Sequence, residues 1–311
     1  MPVHLVDTGY TGVPGCAAAY IVPHDDGAMI VETNTAHSVP TLLAALGGLE
    51  LRPEDVTDIV ITHIHLDHAG GAGALLAACP NARLLAHPRA APHAIDPSKL
   101  VASATQVYGA ERFEALYGTI EPIPADRVQA MGDDEVATIG GHTVRFLHTR
   151  GHANHHFCVF DETESALFTG DSFGIRYPQL GGRIFPSTSP TDFDAELAIA
   201  SIRRLVATGA DTAWLTHFGA VHDLAAAGDT LIRQLEACGR VVDEADASGL
   251  AGDALFAHTG AWVDQFFADL VPEATEVQRH LLEVDRSLNG QGLAVAVERR
   301  RRRRSRAAQG A

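Results

Sequence analysis

The sequence predicts an α/β fold in which sheets are covered by helices, continued by a helical extension. Two features carry this expectation. Short β-branched runs alternate with helical stretches over about the first 220 residues, and beyond Val221 such runs become few while helical periodicity persists. A third feature points to chemistry: residues 62–71 read Thr-His-Ile-His-Leu-Asp-His-Ala-Gly-Gly, directly after a β-branched stretch. With 311 residues, 46% hydrophobic and 20% charged, the chain is long and apolar enough for one large domain or two modest ones.

Residues 3–6, 17–22 and 28–32 read as strands, the last two joined by the polar turn His24-Asp25-Asp26-Gly27. Ser38 reads as the cap of a helix over 39–46, stopped by Gly47-Gly48. A strand over 58–62 leads into the histidine run, and a helix over 72–78 and a short strand over 83–86 follow. Asp96-Pro97-Ser98 starts a helix to about Tyr108, and a shorter one spans 110–117. Strand character returns over 136–139, 143–148, 156–160 and 166–169, broken by Gly140-Gly141 and Asp161-Glu162. Residues 192–207 are helical, with Phe193, Leu197, Ile202 and Leu205 on one face, and 212–216 form a final strand. Residues 223–247, 251–270 and 273–288 read as helices whose apolar stripes suit core packing. The expected organisation is a domain over 1–222, a helical extension over 223–298 and an Arg-rich, disordered tail over 299–311.

The formal net charge is −16 although residues 299–306 contribute seven arginines, so the rest of the chain carries −23. So acidic a body repels polyanions, and nucleic acid is not expected as a partner; a small-molecule substrate is. Cys16, Cys79, Cys158 and Cys238 are widely spaced and form no Cys-x-x-Cys pair, as expected of reduced thiols in a cytoplasmic protein. The N-terminal residues do not read as a secretory signal, and no run approaches the ~20 apolar residues of a membrane helix, so neither feature is expected. The hydrophobic helices after residue 250 make a homodimer conceivable.

On extended backbone, residues two apart share a side, so His63 and His65 can grip one metal ion. In a helix they would diverge by about 200°. Asp67 and His68 follow a turn and can face a second ion. Three further strand ends supply ligand types: Gly151-His152, Gly170-Asp171 and Thr216-His217. The expectation is that His63, His65 and His152 bind one divalent ion, Asp67, His68 and His217 a second, and Asp171 bridges them. Such ions would lie about 3.5–4 Å apart with a hydroxide between them. Imidazole and carboxylate suit zinc first, then iron or manganese. Gly170-Asp-Ser172-Phe-Gly174 fits a serine nucleophile elbow, but the prolines and glycine pair that follow forbid the helix such an elbow needs. His155 suits a position behind the ligands and His156 a structural one, and His87-Pro-Arg89 follows a strand towards the same rim.

With His63-x-His65-x-Asp67-His68, Gly151-His152, Gly170-Asp171 and Thr216-His217 in this order, the chain resembles the metallo-β-lactamase-fold hydrolases over about residues 1–220. The resemblance implies an αββα sandwich with the metals at one edge of two sheets. Asp171 resembles the bridging acid of the glyoxalase II branch. His87-Pro-Arg89, Asp96-Pro-Ser-Lys99, Val107-Tyr-Gly109 and Leu288-Asn-Gly-Gln-Gly-Leu293 are similar to a glyoxalase-like group of metal-dependent hydrolases. Two departures stand out. The third strand ends Glu32-Thr33-Asn34 where the family has Asp-Thr-Gly, and the extension lacks a basic cluster resembling a glutathione site.

The expected activity is hydrolysis of a small-molecule ester, thioester or lactone by a metal-bridged hydroxide, with Asp67 orienting the nucleophile or taking its proton. Tyr108, Arg176 and Tyr177 are candidate substrate contacts. Two alternatives use the same ligands: a diiron redox or oxygen-binding module, and a small-molecule phosphodiesterase. Against the first, no Gly-rich flavin motif or Cys-x-x-Cys pair is present.

Overall fold

Strand residues alternate in direction, and in the first half of the chain both sides of the sheet are apolar. Ala19, Ile21, Ala28, Ile30 and Ile59 pack with the helix residues Leu42, Leu46, Leu75 and Leu76. Their neighbours Ala18, Tyr20, Val22, Met29, Val31 and Val60 pack instead with Phe146, Phe157, Val159 and Phe168 of a second sheet. The period of two thus builds a helix-facing core and a sheet-facing core from the same strands.

The computed structural model describes residues 2–309. The chain divides into two units that are not sequential. The first runs from the N-terminus to His148 and adds His155–Gly170 and Thr208–Leu224; the second comprises Thr149–Asn154, Asp171–Ala207 and the chain from Ala225 onward.

The first unit contains β1 (His4–Asp7), β2 (Ala18–His24), β3 (Gly27–Val31), α1 (Val39–Gly48), β4 (Val56–Val60), α2 (Leu66–Ala69), α3 (Ala72–Ala78), β5 (Arg83–Ala86), α4 (Ala91–Ile95), α5 (Ser98–Tyr108), α6 (Ala110–Tyr117) and β6 (Val128–Ala130). It continues with β7 (Glu135–Ile139), β8 (His142–His148), β9 (Phe157–Asp161), β10 (Ala166–Phe168), β11 (Thr212–Leu215) and β12 (Gly219–Val221). One six-stranded sheet has the order β1-β2-β3-β4-β5-β6, the other β12-β11-β10-β9-β8-β7. Strands β3 to β6 run parallel, as do β10 and β11, and the remaining pairs are antiparallel. This is the expected α/β sandwich with a C-terminal helical extension. Ser38 does not cap α1 as expected. Its hydroxyl donates to Asn34 Oδ1 (2.9 Å), and a short 3₁₀ turn over Ala36–Ser38 leads into the helix.

The second unit contains α7 (Ala195–Val206), α9 (Gly252–Leu270), α10 (Glu276–Leu281), α11 (Glu283–Gln309) and nearly all of α8 (Leu224–Ala247). Helix α7 starts at Asp194, whose side chain accepts from the Leu197 backbone N–H. The stretch 273–288 is not one helix. The chain breaks at Leu282, between α10 and α11. The Leu288–Leu293 motif is explained by packing: Asn289 Oδ1 accepts from Thr188 N (2.6 Å), and a Cβ at Gly292 would lie 1.5 Å from Thr188 O.

The arginine run is not the disordered tail expected. Through Arg306 it belongs to α11, because acidic side chains offset its self-repulsion. Arg299 donates to Thr191 O (2.8 Å) and pairs with Asp192 (3.3 Å). Arg301 donates to Asp246 Oδ1 (2.9 Å) and to Ala245 O (2.9 Å), and Arg304 also reaches Asp246. Hydrogen bonding from Arg301, aided by Arg304, holds the Asp246 carboxyl below its ordinary pKa. Among the described residues, no helix is long and apolar enough to cross a membrane.

Arg301→Ala removes several charge-assisted hydrogen bonds at once and should destabilise by about 1–3 kcal/mol in urea melts. Arg302→Ala, whose ion pair is with Glu298 on the same helix, should stay within about 0.5 kcal/mol.

Candidate metal centre

Strand β4 delivers the histidine run. His63 and His65 lie in the loop just past its end, and their rings still approach to 4.4 Å. The pair therefore shares a side through loop geometry, not through the strand periodicity expected. Helix α2 then turns Asp67 and His68 back, so that the His63 and His68 rings lie 4.0 Å apart. His217, two residues past β11, brings its ring to 5.3 Å from His68. Asp67 Oδ2 lies 3.5 Å from His217 Nε2 and 3.8 Å from His68 Nε2. One ligand-type atom each from Asp67, His68 and His217 falls within 4.8 Å of the others. His63, His68 and His217 are buried, whereas the Asp67 side chain keeps 28% of its surface exposed.

Three imidazoles present Nδ1 to a polar neighbour. His63 Nδ1 meets Thr62 Oγ1 (3.1 Å), His217 Nδ1 meets Cys16 O (2.9 Å), and His68 Nδ1 lies 3.4 Å from Glu32 Oε2. Such partners fix ring orientation and leave Nε2 as the coordinating atom. Donor types and orientation both fit divalent metal binding.

Glu32-Thr33-Asn34, where the chain departs from Asp-Thr-Gly, clamps this loop. Glu32 Oε1 accepts from Thr62 N (3.2 Å), and the Thr33 N–H and hydroxyl both donate to His68 O (3.0 and 2.9 Å). Asn34 Nδ2 donates to Asp67 O (2.8 Å). A Cβ at Gly71 would lie 2.7 Å from Thr35 O and 2.9 Å from Thr33 O, so the Gly70-Gly71 pair lets this clamp close.

In the second unit, His152 and Asp171 meet each other, with Nε2 and Oδ2 3.5 Å apart and both side chains nearly buried. Their loop rests on α7: Asp194 N donates to Gly151 O (2.8 Å) and the Ser201 hydroxyl to Arg150 O (2.6 Å). Gly151, at φ 125°, has Ala198 N 2.2 Å from the place of a Cβ, so the approach demands glycine. Past Asp171 the chain forms a β-bridge between Ile175 and Phe185, and its helical element before α7 is the short 3₁₀ turn Pro178–Leu180. Ser172 is thus not on a nucleophile elbow.

His156 is buried with its ring 4.8 Å from His63, and His155 lies 5.4 Å from His65 and 6.1 Å from His63. Two of the expected substrate contacts lie in the second unit, Tyr177 buried and Arg176 half-buried. The Tyr177 hydroxyl donates to Asp285 on α11 (3.1 Å), and Arg176 Nε donates to Gly182 O (3.3 Å). Tyr108 is half-buried beside Tyr117, with ring centroids 5.8 Å apart.

Two outcomes follow. Glu32→Gln weakens the support behind His68 and should lower divalent-metal affinity about 10–100-fold in chelator competition. His87 is buried, its ring is 4.1 Å from His148, and its Nδ1 accepts from Arg89 N (2.9 Å). Burial, then the neighbouring His148, pushes its pKa down to about 3. An unfolded histidine titrates near ~6.5, so between these values the unfolded chain alone holds the proton. This group therefore makes stability rise with pH from about 3 to ~6.5 and adds no slope above. His87→Gln should flatten the dependence of metal-free melting on pH between ~5 and ~6.5; an unchanged slope would refute the assignment.

The family description "Metallo-beta-lactamase superfamily" matches residues 5–217. The metallo-beta-lactamase fold-containing protein ST1585 of Sulfurisphaera tokodaii is 25% identical over 81% of this chain and 91% of its own length. The solved structure of ST1585 from Sulfolobus tokodaii superposes with a TM-score of 0.67 at 22% identity, covering 94% of this chain and 97% of that one. A hydroxyacylglutathione hydrolase of Aeromonas hydrophila is 28% identical over 62% of this chain and 57% of its own. An atrochrysone carboxyl ACP thioesterase of Claviceps purpurea is 27% identical over 66% of this chain and 52% of its own. The chain spans little more than half the length of these last two relatives.

Proposed function

The chain belongs to the metallo-β-lactamase superfamily, and on that premise we propose that it is a metal-dependent hydrolase of small-molecule thioesters, lactones or other esters. The observation that carries the reading is the convergence of Asp67, His68 and His217 within 4.8 Å, with the His68 and His217 imidazoles backed on their Nδ1 side. In this proposal His63, His65 and His152 hold one divalent ion, Asp67, His68 and His217 hold a second, and Asp171 bridges. Zinc is the first choice and iron or manganese the next. Such ions, when bound, lower the pKa of water and polarise a carbonyl.

The protein's own groups supply the rest. Asp67 is the most solvent-accessible acid of the set and orients a water through the carboxylate oxygen not facing His217. Glu32 steadies His68, and Cys16 O steadies His217, so neither ring must reorganise as charge develops. Thioesters come first because one relative is named a thioesterase and another a hydroxyacylglutathione hydrolase. A glutathione substrate is not favoured: Arg299, Arg300, Arg301 and Arg304 of the extension are paired with Asp192, Asp243 and Asp246.

Elemental analysis of purified protein, then a thioester, lactone and phosphodiester panel with zinc, iron and manganese, tests the reading. Asp171→Ala should lower kcat/KM by about 100-fold or more and reduce metal stoichiometry. Unchanged turnover would remove Asp171 from the centre, and activity confined to phosphodiesters would replace the reading.

A further inference from the structure

Helices α9, α10 and α11, all in the second unit, border an open cleft of about 680 Å³. At its floor Gly290 meets Gly260: a Cβ at Gly290 would lie 3.1 Å from Gly260 Cα, so α9 and α11 pack closely there. Phe256 and Asp264 line the cleft from α9, and Glu276, Arg279, Glu283 and Arg286 line it from α10 and α11. These last four form one stripe. Leu282 N donates to Gln278 O (3.1 Å) and Arg286 N to Leu282 O (2.9 Å), so helical hydrogen bonding carries across the turn between α10 and α11. Steps of three, four and three residues then keep the four charges on one face. Val277 and Val284 each follow a stripe acid by one position and share its flank, where they are 68% and 57% exposed.

We propose that this face binds a second copy of the chain, antiparallel, about a two-fold axis at the level of Leu281. Residues equidistant from Leu281 then oppose each other, so Glu276 meets Arg286 of the second copy and Arg279 meets its Glu283. Each contact occurs twice, giving acid–base pairs throughout the stripe and no like pair. A parallel alignment in register would set every charge against itself. The two-fold axis lies in the interface and keeps each flank on its own side, so the exposed valines of both copies gather in one apolar cluster. Arg286 uses Nε and Nη2 on Asp264 (2.9 and 2.8 Å), and its guanidinium has donors enough to meet a second carboxylate. A small molecule is the poorer occupant. The Asp264–Arg286 and His280–Glu283 pairs satisfy each other at the surface, and the cleft offers no desolvated polar anchor of the kind a ligand pocket uses. The stripe covers about 15 Å of helix, so the contact belongs to the small, weak and salt-sensitive class of interface.

Sedimentation velocity on the 311-residue chain tests this, at about 5 to 500 µM protein, where a dimer of micromolar Kd forms. Wild type should dimerise in low salt and dissociate as salt rises. Arg279→Glu alone and Glu283→Arg alone each set like charges opposite one another and should raise the dimer Kd about tenfold or more. Mixed in equal amounts, the two variants regain opposite charges at every such contact and should pair as wild type does. A merely structural role of either residue would give no rescue on mixing. A monomeric wild type, a dimer indifferent to both substitutions, or a mixture that stays monomeric would each overturn the proposal. Arg279 Nη1 also donates to Ala274 O, so thermal melts check that each variant is folded. If one is not, Val284→Asp puts a charge into the valine cluster and should weaken the dimer about tenfold as well; an unaffected dimer would overturn the assignment.

Discussion

The clamp at the end of β3 is the constraint on which the candidate metal centre depends. Glu32, Thr33 and Asn34 hold Thr62, His68 and Asp67 by backbone and side-chain hydrogen bonds, buried at Thr62 and His68 and part-buried at Asp67. Such bonds are strong in low dielectric and costly to leave unmade, so they favour this conformation of the loop. The longer Glu32 in place of the family's aspartate still reaches the ring of His68 while accepting from Thr62 N. One carboxylate thereby serves both the backbone of the loop and the orientation of a ligand.

The same logic connects the N-terminal loop to the centre. Cys16 O orients His217, Thr216 O accepts from Ala18 N (2.8 Å), and the Tyr20 hydroxyl donates to Leu215 O. Three contacts thus tie β2 and its approach to the end of β11, although nearly two hundred residues separate them.

In the second unit, charge decides architecture. A run of seven arginines would repel itself apart in isolation. Asp192 and Asp194 come from the approach to α7, Asp243 and Asp246 from α8, and they turn the run into a docked helix. Asn289 and Gly292 place the middle of α11 against Thr188, with no room for a side chain at residue 292.

By itself the sequence determined what local periodicity and residue chemistry can encode. Most strands and helices appear within a few residues of the places their patterns indicate, and the histidine run marked the candidate centre because four ligand-type residues within six positions have few other uses. Only tertiary structure decided which partners each side chain meets. Ser38 turned to Asn34 instead of capping α1, Tyr177 turned to Asp285, and the arginine run became helix. The physical reason is range: propensity acts over a few residues, whereas hydrogen-bond and charge partners are set by chain segments that only folding brings together.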